Sequence, residues 1–585
     1  MRCVVASGRG RGCGKKKKRP DSKVRKNEFI LSILRARPSL RDTKTYLASF
    51  GPQTEPSLPT IPKPLAIEAT SLPDVRPIPH PVIQDILNPI VRRTALVKLQ
   101  GPFTDRQLNS IARGMEYLTK LGLVSVVVIE RDDWWPGKPD EREDAVAEVM
   151  RVAAALEAQG ASARPILDTI VRLGPTALDL EPSEMNTWVP EAHAEVDDLV
   201  SVKSALRAGE IPVLLPLALD SRCRSVRVSA NDVIAALTRS MAEAGRKSST
   251  HEIDLTPMRL MVINREGGVP SYAREGLPHL LVNLTSEYEQ IRENFLPQWE
   301  QSHPTALKNL ALAQTCLSYM PRNSSAIIVS HRSPSELIAN LITNKPVQSS
   351  SLPHALLQGH RKLTPHTPTL LRQGLPIRVI RDVNNIDKTK LTTLLEKSFN
   401  RVLDAKAFYA RVDSQLDFVI VAGDYVGAAI VTNELTSDGQ SIAYLDKFAV
   451  LPSHQGDGTG DFLWVALHDE SYGLGSDFAR NFNEGSMQGL GTGRDLVWRS
   501  RATNPVNNWY YERSSGHLRM GDWVLFWCDA ESRLKRLESE GVQKDRPIPR
   551  RAIRAAAQFV VEEEQGRLKR WTSTVEKIPS SWSPV

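Results

Sequence analysis

The chain has no run of eighteen consecutive apolar residues, so no membrane-spanning helix is expected and no membrane partner. It is also poor in cysteine. The five present, Cys3, Cys13, Cys223, Cys316 and Cys528, lie far apart and form no CxxC. That spacing argues against a structural zinc site and a disulfide framework, and for a reducing compartment. His331, His354, His360 and His366 lack ligand spacing on one helix face, so no metal site is expected either. Acidic residues are scarce at the start: residues 1–27 hold one, Asp21, among many Lys and Arg. Without that segment the chain is near neutral, so the net charge of +8 is no footprint of nucleic acid, which requires basic residues patterned on a folded face. An acid-poor, Arg-rich start suits a mitochondrial presequence, but GKKKKRP is equally a nuclear-signal-like cluster, and composition leaves both open.

What is present is enough for two or three domains: 585 residues, 41 % of them hydrophobic. Residues 51–90 are rich in proline and read as a linker. ALVKL at 95–99 then reads as a buried strand. TDRQLNSIARGMEYLTKLG follows, with Leu108, Ile111, Met115 and Leu118 at helical spacing, a cap at Thr104 or Asp105, and a stop at Gly122. LVSVVVIE, a helix near 140–159 and RPILDTIV repeat the cycle. Strand, helix, strand in this order predicts an α/β domain with a parallel sheet covered on both faces.

IPVLLPLALD with SANDVIAALTRSM, and MVINREGGV after them, resemble the amino-acid kinase family. Those kinases place glycine loops after the first two strands, where backbone N–H groups approach phosphates. Here KLQGPF and ERDDWW stand in those places. Lys98 has one glycine near it, and Glu130, Asp132 and Asp133 would repel a phosphate. A kinase-like scaffold without phosphotransfer, kept for regulation, is the expectation.

The composition shifts to Pro, Ser and His over 344–368, an interdomain linker, and a second domain opens near Ile377. DFVIVAGDYVGAAIVTNEL reads as a hairpin turning at Gly423 and Asp424, and SIAYLDKFAVL as the next strand. QGDGTG then leads straight into an apolar helical run. A glycine-rich loop opening a helix points N–H groups and the positive end of the helix dipole at an anion, which suits a pyrophosphate. In DLVWRSR, Leu496, Trp498 and Ser500 alternate with Val497, Arg499 and Arg501. Arg499 and Arg501 share a face with Cα atoms about 6.6 Å apart. That spacing fits a small ligand with two separated anionic groups, such as an amino dicarboxylic acid; a merely solvated basic face is the plain alternative.

QGDGTG after the fourth strand of a meander resembles the acyl-CoA loop of GNAT acetyltransferases. Together with YLDKF, WRSR, NPVNNWYYERSSG and WVLFW, it resembles the acetyltransferase domain of fungal-type N-acetylglutamate synthases, which join a kinase-like domain to a GNAT domain. The resemblance implies a parallel-sheet sandwich followed by a mixed, mostly antiparallel GNAT sheet. It implies glutamate contacts at Arg401, Lys447, Arg499, Ser500, Arg501 and Asn504, with Arg401 standing where relatives carry lysine. It implies backbone contacts from Phe448, Ala449 and Val450 to the pantetheine and thioester, and acetyl-CoA contacts at Gln455, Gly456, Gly458, Thr459 and Gly460. Tyr510 would be the general acid, or a base acting through water, with Tyr511 beside it as the alternative. Cys528, in WVLFWC without a basic partner, reads as packing, so direct transfer in a ternary complex is expected.

The expected organisation is a basic presequence (1–27), an N-terminal segment and proline-rich linker (28–90), a kinase-like domain (91–345), a linker (346–375), a GNAT domain (376–530) and a tail (531–585), with 471–495 as a mobile surface loop. The expected function is acetyl transfer from acetyl-CoA, a co-substrate rather than a resident cofactor, to L-glutamate, opening arginine synthesis. As the resemblance implies, L-arginine would inhibit, N-acetylglutamate kinase is a candidate partner, the chain would form a homo-oligomer, and the site is the mitochondrial matrix. A non-catalytic regulatory subunit is the alternative.

Overall fold

The computed structural model describes residues 92–134, 141–174, 194–220, 223–247, 254–274, 276–332, 335–346, 363–436, 439, 441–468, 495–529 and 562–583. The basic start, the segment 28–90, almost all of the insertion 471–495 and the stretch ESRLKRLESEG lie outside them.

β1 (Arg93–Gly101) and β2 (Leu123–Arg131) are joined by the helix Asp105–Lys120. A capping box between Thr104 and Gln107 opens that helix, satisfying two otherwise orphaned donors. Gly122 follows its end at φ 88°, a left-handed conformation that glycine takes without steric cost. The helix Glu141–Gln159 leads to β3 (Ala163–Ile166), β4 (Val171–Leu173) and β5 (Ala194–Val196). Next come β6 (Ile211–Leu214), β7 (Leu217–Leu219), β8 (Ser225–Arg227) and the helix Ala230–Lys247. β9 (Pro257–Asn264), β10 (Leu281–Asn283), β11 (Ser325–Ser330) and β12 (Thr369–Arg372) complete this half.

Eight of these strands form one sheet in the order β10-β12-β11-β9-β1-β2-β6-β3, and β5-β4-β7-β8 form a small second sheet. The central strands pair parallel, and apolar cores lie on both faces of the large sheet. This is the covered parallel sheet that the alternation predicts. One segment departs from expectation. Residues 369–372 fall in the stretch read as linker, yet they insert between β10 and β11 because Leu370 and Leu371 are buried there.

The second half is a seven-stranded sheet: β13 (Ile377–Ile380), β14 (Leu416–Ala422), β15 (Gly427–Leu435), β16 (Ser441–Val450), β17 (Leu496–Arg501), β18 (Gly516–Met520) and β19 (Trp523–Cys528). Their order is β13-β14-β15-β16-β17-β19-β18, antiparallel except where β16 meets β17. The helices Lys388–Phe399 and Ala405–Gln415 cover one face, and the helix Thr459–His468 covers the other. A further helix, Glu562–Glu576, comes from the tail. Trp571 and Val575 of this helix, with Ile578 just after it, bury against Tyr444, Val497, Leu525 and Trp527. At about 1.5–3 kcal/mol for each large apolar side chain, that contact makes the end of the chain part of this domain.

Candidate active site

The register of β16 sets the geometry. Lys447 faces Ile430 and Leu445 faces Val431 across the ladder with β15, so Asp446 is the extra residue of a bulge. A bulge reverses the faces that follow it: Leu445, Phe448 and Val450 share the core beneath the helix Thr459–His468, while Lys447 and Ala449 point the other way. Toward β17, only Ala443 and Tyr444 are paired, with Leu496 and Val497. β16 continues to Val450 and β17 to Arg501, so the two strands part. Phe448, Ala449 and Val450 therefore pair with β15 on one edge and, among the described residues, leave the other edge of their backbone to a groove.

QGDGTG closes one end of that groove. Gly456 and Gly458 take φ values of 103° and 97°, which a side chain would strain, and the helix begins at Thr459. Asp457 caps it, its Oδ1 accepting from the Thr459 N–H at 3.1 Å and from Thr459 Oγ at 2.8 Å. Thr459 is thereby committed to its own loop. Gln455 is exposed, its amide 3.5 Å from the Val450 carbonyl, and a Cβ placed on Gly460 would come no nearer than 4.0 Å to the side chains of Phe448 and Val450.

An aromatic wall lines the apolar side. Phe448 lies 5.5 Å from Trp509, which stands 5.1 Å from Trp464 and 5.6 Å from Tyr510. Tyr510, on the helix Asn507–Arg513, is 8 % exposed and packs against Trp498 and Phe526. Burial pushes its phenol pKa up, so the group holds its proton at neutral pH. Tyr511 is more exposed, against His517 and Phe526. Burial raises the Cys528 thiol as well, which keeps it from acting as a thiolate nucleophile.

The cationic residues are brought together, but by the end of the chain. Arg499 forks onto two carbonyls at the C-terminal end of the tail helix, Val575 O in its last turn at 2.6 Å and Ile578 O just beyond it at 2.7 Å, and its guanidinium lies 4.8 Å from the centre of the Trp523 ring. A cation there meets the negative end of the helix dipole. Lys447 donates to Asp446 at 2.7 Å and to Ser581 Oγ at 3.0 Å, and sits over the rings of Phe408 and Trp582. Asp446 is fully desolvated, which alone would raise its carboxyl; Lys447 and Arg411 outweigh this and hold it below the usual range. Arg401 follows a left-handed Asn400 and is exposed. The turn after it is tied to the same tail, Val402 accepting from the Ser583 N–H and Asp404 donating to the Ser581 carbonyl. Residues 575–583 thus form a strap joining Arg499, Lys447 and the turn beside Arg401.

The remaining expected contacts divide by face. Arg501 is exposed over Trp523 at 5.5 Å, beside Arg499 as the alternation requires. Ser500 is buried on the opposite face, accepting from the Asn504 side-chain N–H at 2.9 Å. Asn504 itself forms a turn, its Oδ1 accepting from the Val506 N–H at 3.1 Å. Sequence reasoning missed Asp446, Arg411 and Ser581. The acid beside the lysine in YLDKF was visible, but its role depends on the bulge. In the first half, Lys98 is 2 % exposed and held by Glu130 at 2.7 Å and Asn309 at 2.9 Å.

The family model for the N-acetyltransferase domain of N-acetylglutamate synthase matches residues 378–474 and 492–540. Among curated proteins, the mitochondrial amino-acid acetyltransferase of Coprinopsis cinerea is 59 % identical over 95 % of this chain and 92 % of its own length. That of Laccaria bicolor is 60 % identical over 95 % of this chain and 99 % of its own. A solved N-acetylglutamate synthase from Neisseria gonorrhoeae, complexed with coenzyme A and N-acetyl-glutamate, aligns over 79 % of this chain and 95 % of its own at 14 % identity and a TM-score of 0.43. Identity near 60 % across both sheets, with the matched family model lying over the parted strands, makes this chain an amino-acid acetyltransferase of the fungal N-acetylglutamate synthase family.

Proposed function

We propose that the chain transfers the acetyl group of acetyl-CoA to the α-amine of L-glutamate, giving N-acetyl-L-glutamate and CoA. The observation that carries this reading is the parting of β16 and β17 beside the glycine-rich loop. The loop takes the pyrophosphate through the N–H groups of Gly456, Gly458 and Gly460, and Gln455 covers it. The free edge of Phe448, Ala449 and Val450 takes the pantetheine, and an N–H there polarises the thioester carbonyl. Arg501, Arg401 and Lys447 hold the carboxylates, with Arg499 fixing the strap behind them and Ser500 and Asn504 shaping the turn. A guanidinium grips a carboxylate by a paired fork of hydrogen bonds.

The α-amine loses its proton to solvent or through a bound water and attacks the thioester carbon. The tetrahedral adduct then expels the CoA thiolate, which takes the Tyr510 proton as the C–S bond breaks; the proton shed by the adduct's nitrogen returns to Tyr510, so CoA–SH and the amide leave with the phenol restored. The first half regulates rather than phosphorylates, since Lys98 is committed to Glu130 and Asn309.

We place the protein in mitochondria, as the names of its relatives support, with the matrix as the compartment of its substrates. Feedback by L-arginine, a homo-oligomeric state and contact with N-acetylglutamate kinase complete the proposal. Thiol release from acetyl-CoA, measured with and without L-glutamate, tests the reaction. Glutamate-dependent release that L-arginine lowers is the expected result. Release indifferent to glutamate refutes the acceptor, and no release points to the regulatory-subunit alternative.

A further inference from the structure

We propose that Arg372, which ends β12 in the kinase-like sheet, is a positioning residue for the acyl-donor loop of the acetyltransferase domain. The inference rests on the reading of QGDGTG as that loop.

Arg372 is 5 % exposed. Its Nη1 donates to the Asp457 carbonyl at 2.6 Å and its Nη2 to the Asn344 carbonyl, while Nε has no hydrogen-bond partner among the described residues. Burial lowers its pKa, and Asp457 and Asp461 offset part of that cost. Asp461 is itself paired with Arg513 at 2.8 Å. A cation so placed, with no carboxylate of its own, is costly to keep.

What it holds explains the cost. A trans peptide is planar, with its C=O and N–H pointing in opposite directions. By gripping the Asp457 carbonyl, Arg372 fixes the Asp457–Gly458 peptide so that the Gly458 N–H faces away from the kinase-like sheet. The contact also dictates the residue at 458: a Cβ there would lie 2.1 Å from Nη1, and the φ of 97° independently favours glycine. Four residues on, Phe462 packs with Leu281 and Leu370 of the same sheet. Loop and helix are thus seated on β10 and β12 by one polar and one apolar contact. Arg372 also reaches the residue after the helix Ser335–Thr343, so a shift of that helix is transmitted to the loop.

The test uses the full-length protein and the variants Arg372→Gln, Arg372→Lys and Gly458→Ala, with CoA binding measured by calorimetry and both Michaelis constants by thiol release. Arg372→Gln and Gly458→Ala should weaken CoA binding and raise the acetyl-CoA KM by about tenfold, the equivalent of one charge-assisted hydrogen bond. The glutamate KM should stay within about twofold, and Arg372→Lys, which keeps one donor, should recover part of the loss. Unchanged CoA affinity in both Arg372 variants overturns the inference, as does an equal rise in both KM values. Gly460→Glu, a charge set inside the loop, serves as the control. If it binds CoA like the parent, the loop assignment itself fails, and the inference with it.

Discussion

Replacing Arg499 by lysine separates a substrate ligand from a structural clamp. In the structure its two N–H groups reach Val575 O and Ile578 O at 2.6 and 2.7 Å, both charge-assisted bonds at the C-terminal end of the tail helix. Lysine keeps the charge but cannot span two carbonyls with one planar fork. Losing one such bond costs about 1.5–3 kcal/mol. For a unit of this size, where each kcal/mol moves the midpoint by about 2–4 °C, Arg499→Lys should lower Tm by roughly 3–12 °C. The strap 575–583 should loosen with it, speeding trypsin cleavage after the already exposed Lys577, and the glutamate KM should rise because Lys447 and the Arg401 turn lose their common support. Thermal melting, limited proteolysis and the two KM values read these together. An unchanged Tm and proteolysis pattern with a raised glutamate KM would refute the clamp and return Arg499 to direct contact with glutamate.

Three further outcomes follow from the same geometry. Tyr510→Phe should cut kcat by roughly a hundredfold or more, the range of a lost general acid, with little change in either KM. Tyr511→Phe should stay near the parent, and because burial raises the Tyr510 pKa, kcat should show no loss from this group up to about pH 10. Asp446→Asn breaks a buried ion cluster and should cost about 3–5 kcal/mol at neutral pH, read by chemical denaturation. Its carboxyl pKa is depressed on folding, so its stabilising share is complete above the unfolded value of about 4 and fades as pH falls through the folded value. The variant should therefore have a flatter stability profile on the acid side than the parent. Arg501→Ala should raise the glutamate KM far more than the acetyl-CoA KM, and equal rises would contradict its assignment.

Elements set by local pattern were legible in the sequence. The helix Asp105–Lys120 carries its cap and its apolar stripe within its own residues, and the hairpin of β14 and β15 carries its turn. What escaped depends on distant partners. TLLR is four residues in a proline- and histidine-rich stretch, and only β10 and β11 on either side make it a strand. The bulge at Asp446 cannot be seen without the register of β15. The pairing of Arg499 and Arg501 on one face followed from alternation, but the occupant of Arg499 lies 76 residues on, at Val575. Leu568, Trp571, Val575 and Ile578 do recur at helical spacing, a signal that could have marked the tail as part of the domain.

The groove between β16 and β17 is held to bring donor and acceptor together, with no acyl group resting on the protein. A single turnover with acetyl-CoA labelled in its acetyl group, quenched on the millisecond scale with and without L-glutamate, tests that directly. With glutamate, the label should pass to the α-nitrogen of glutamate at the rate of CoA release; without it, the protein should stay unlabelled. Label on the protein before glutamate is added, or glutamate left unlabelled while CoA is released, would contradict the account.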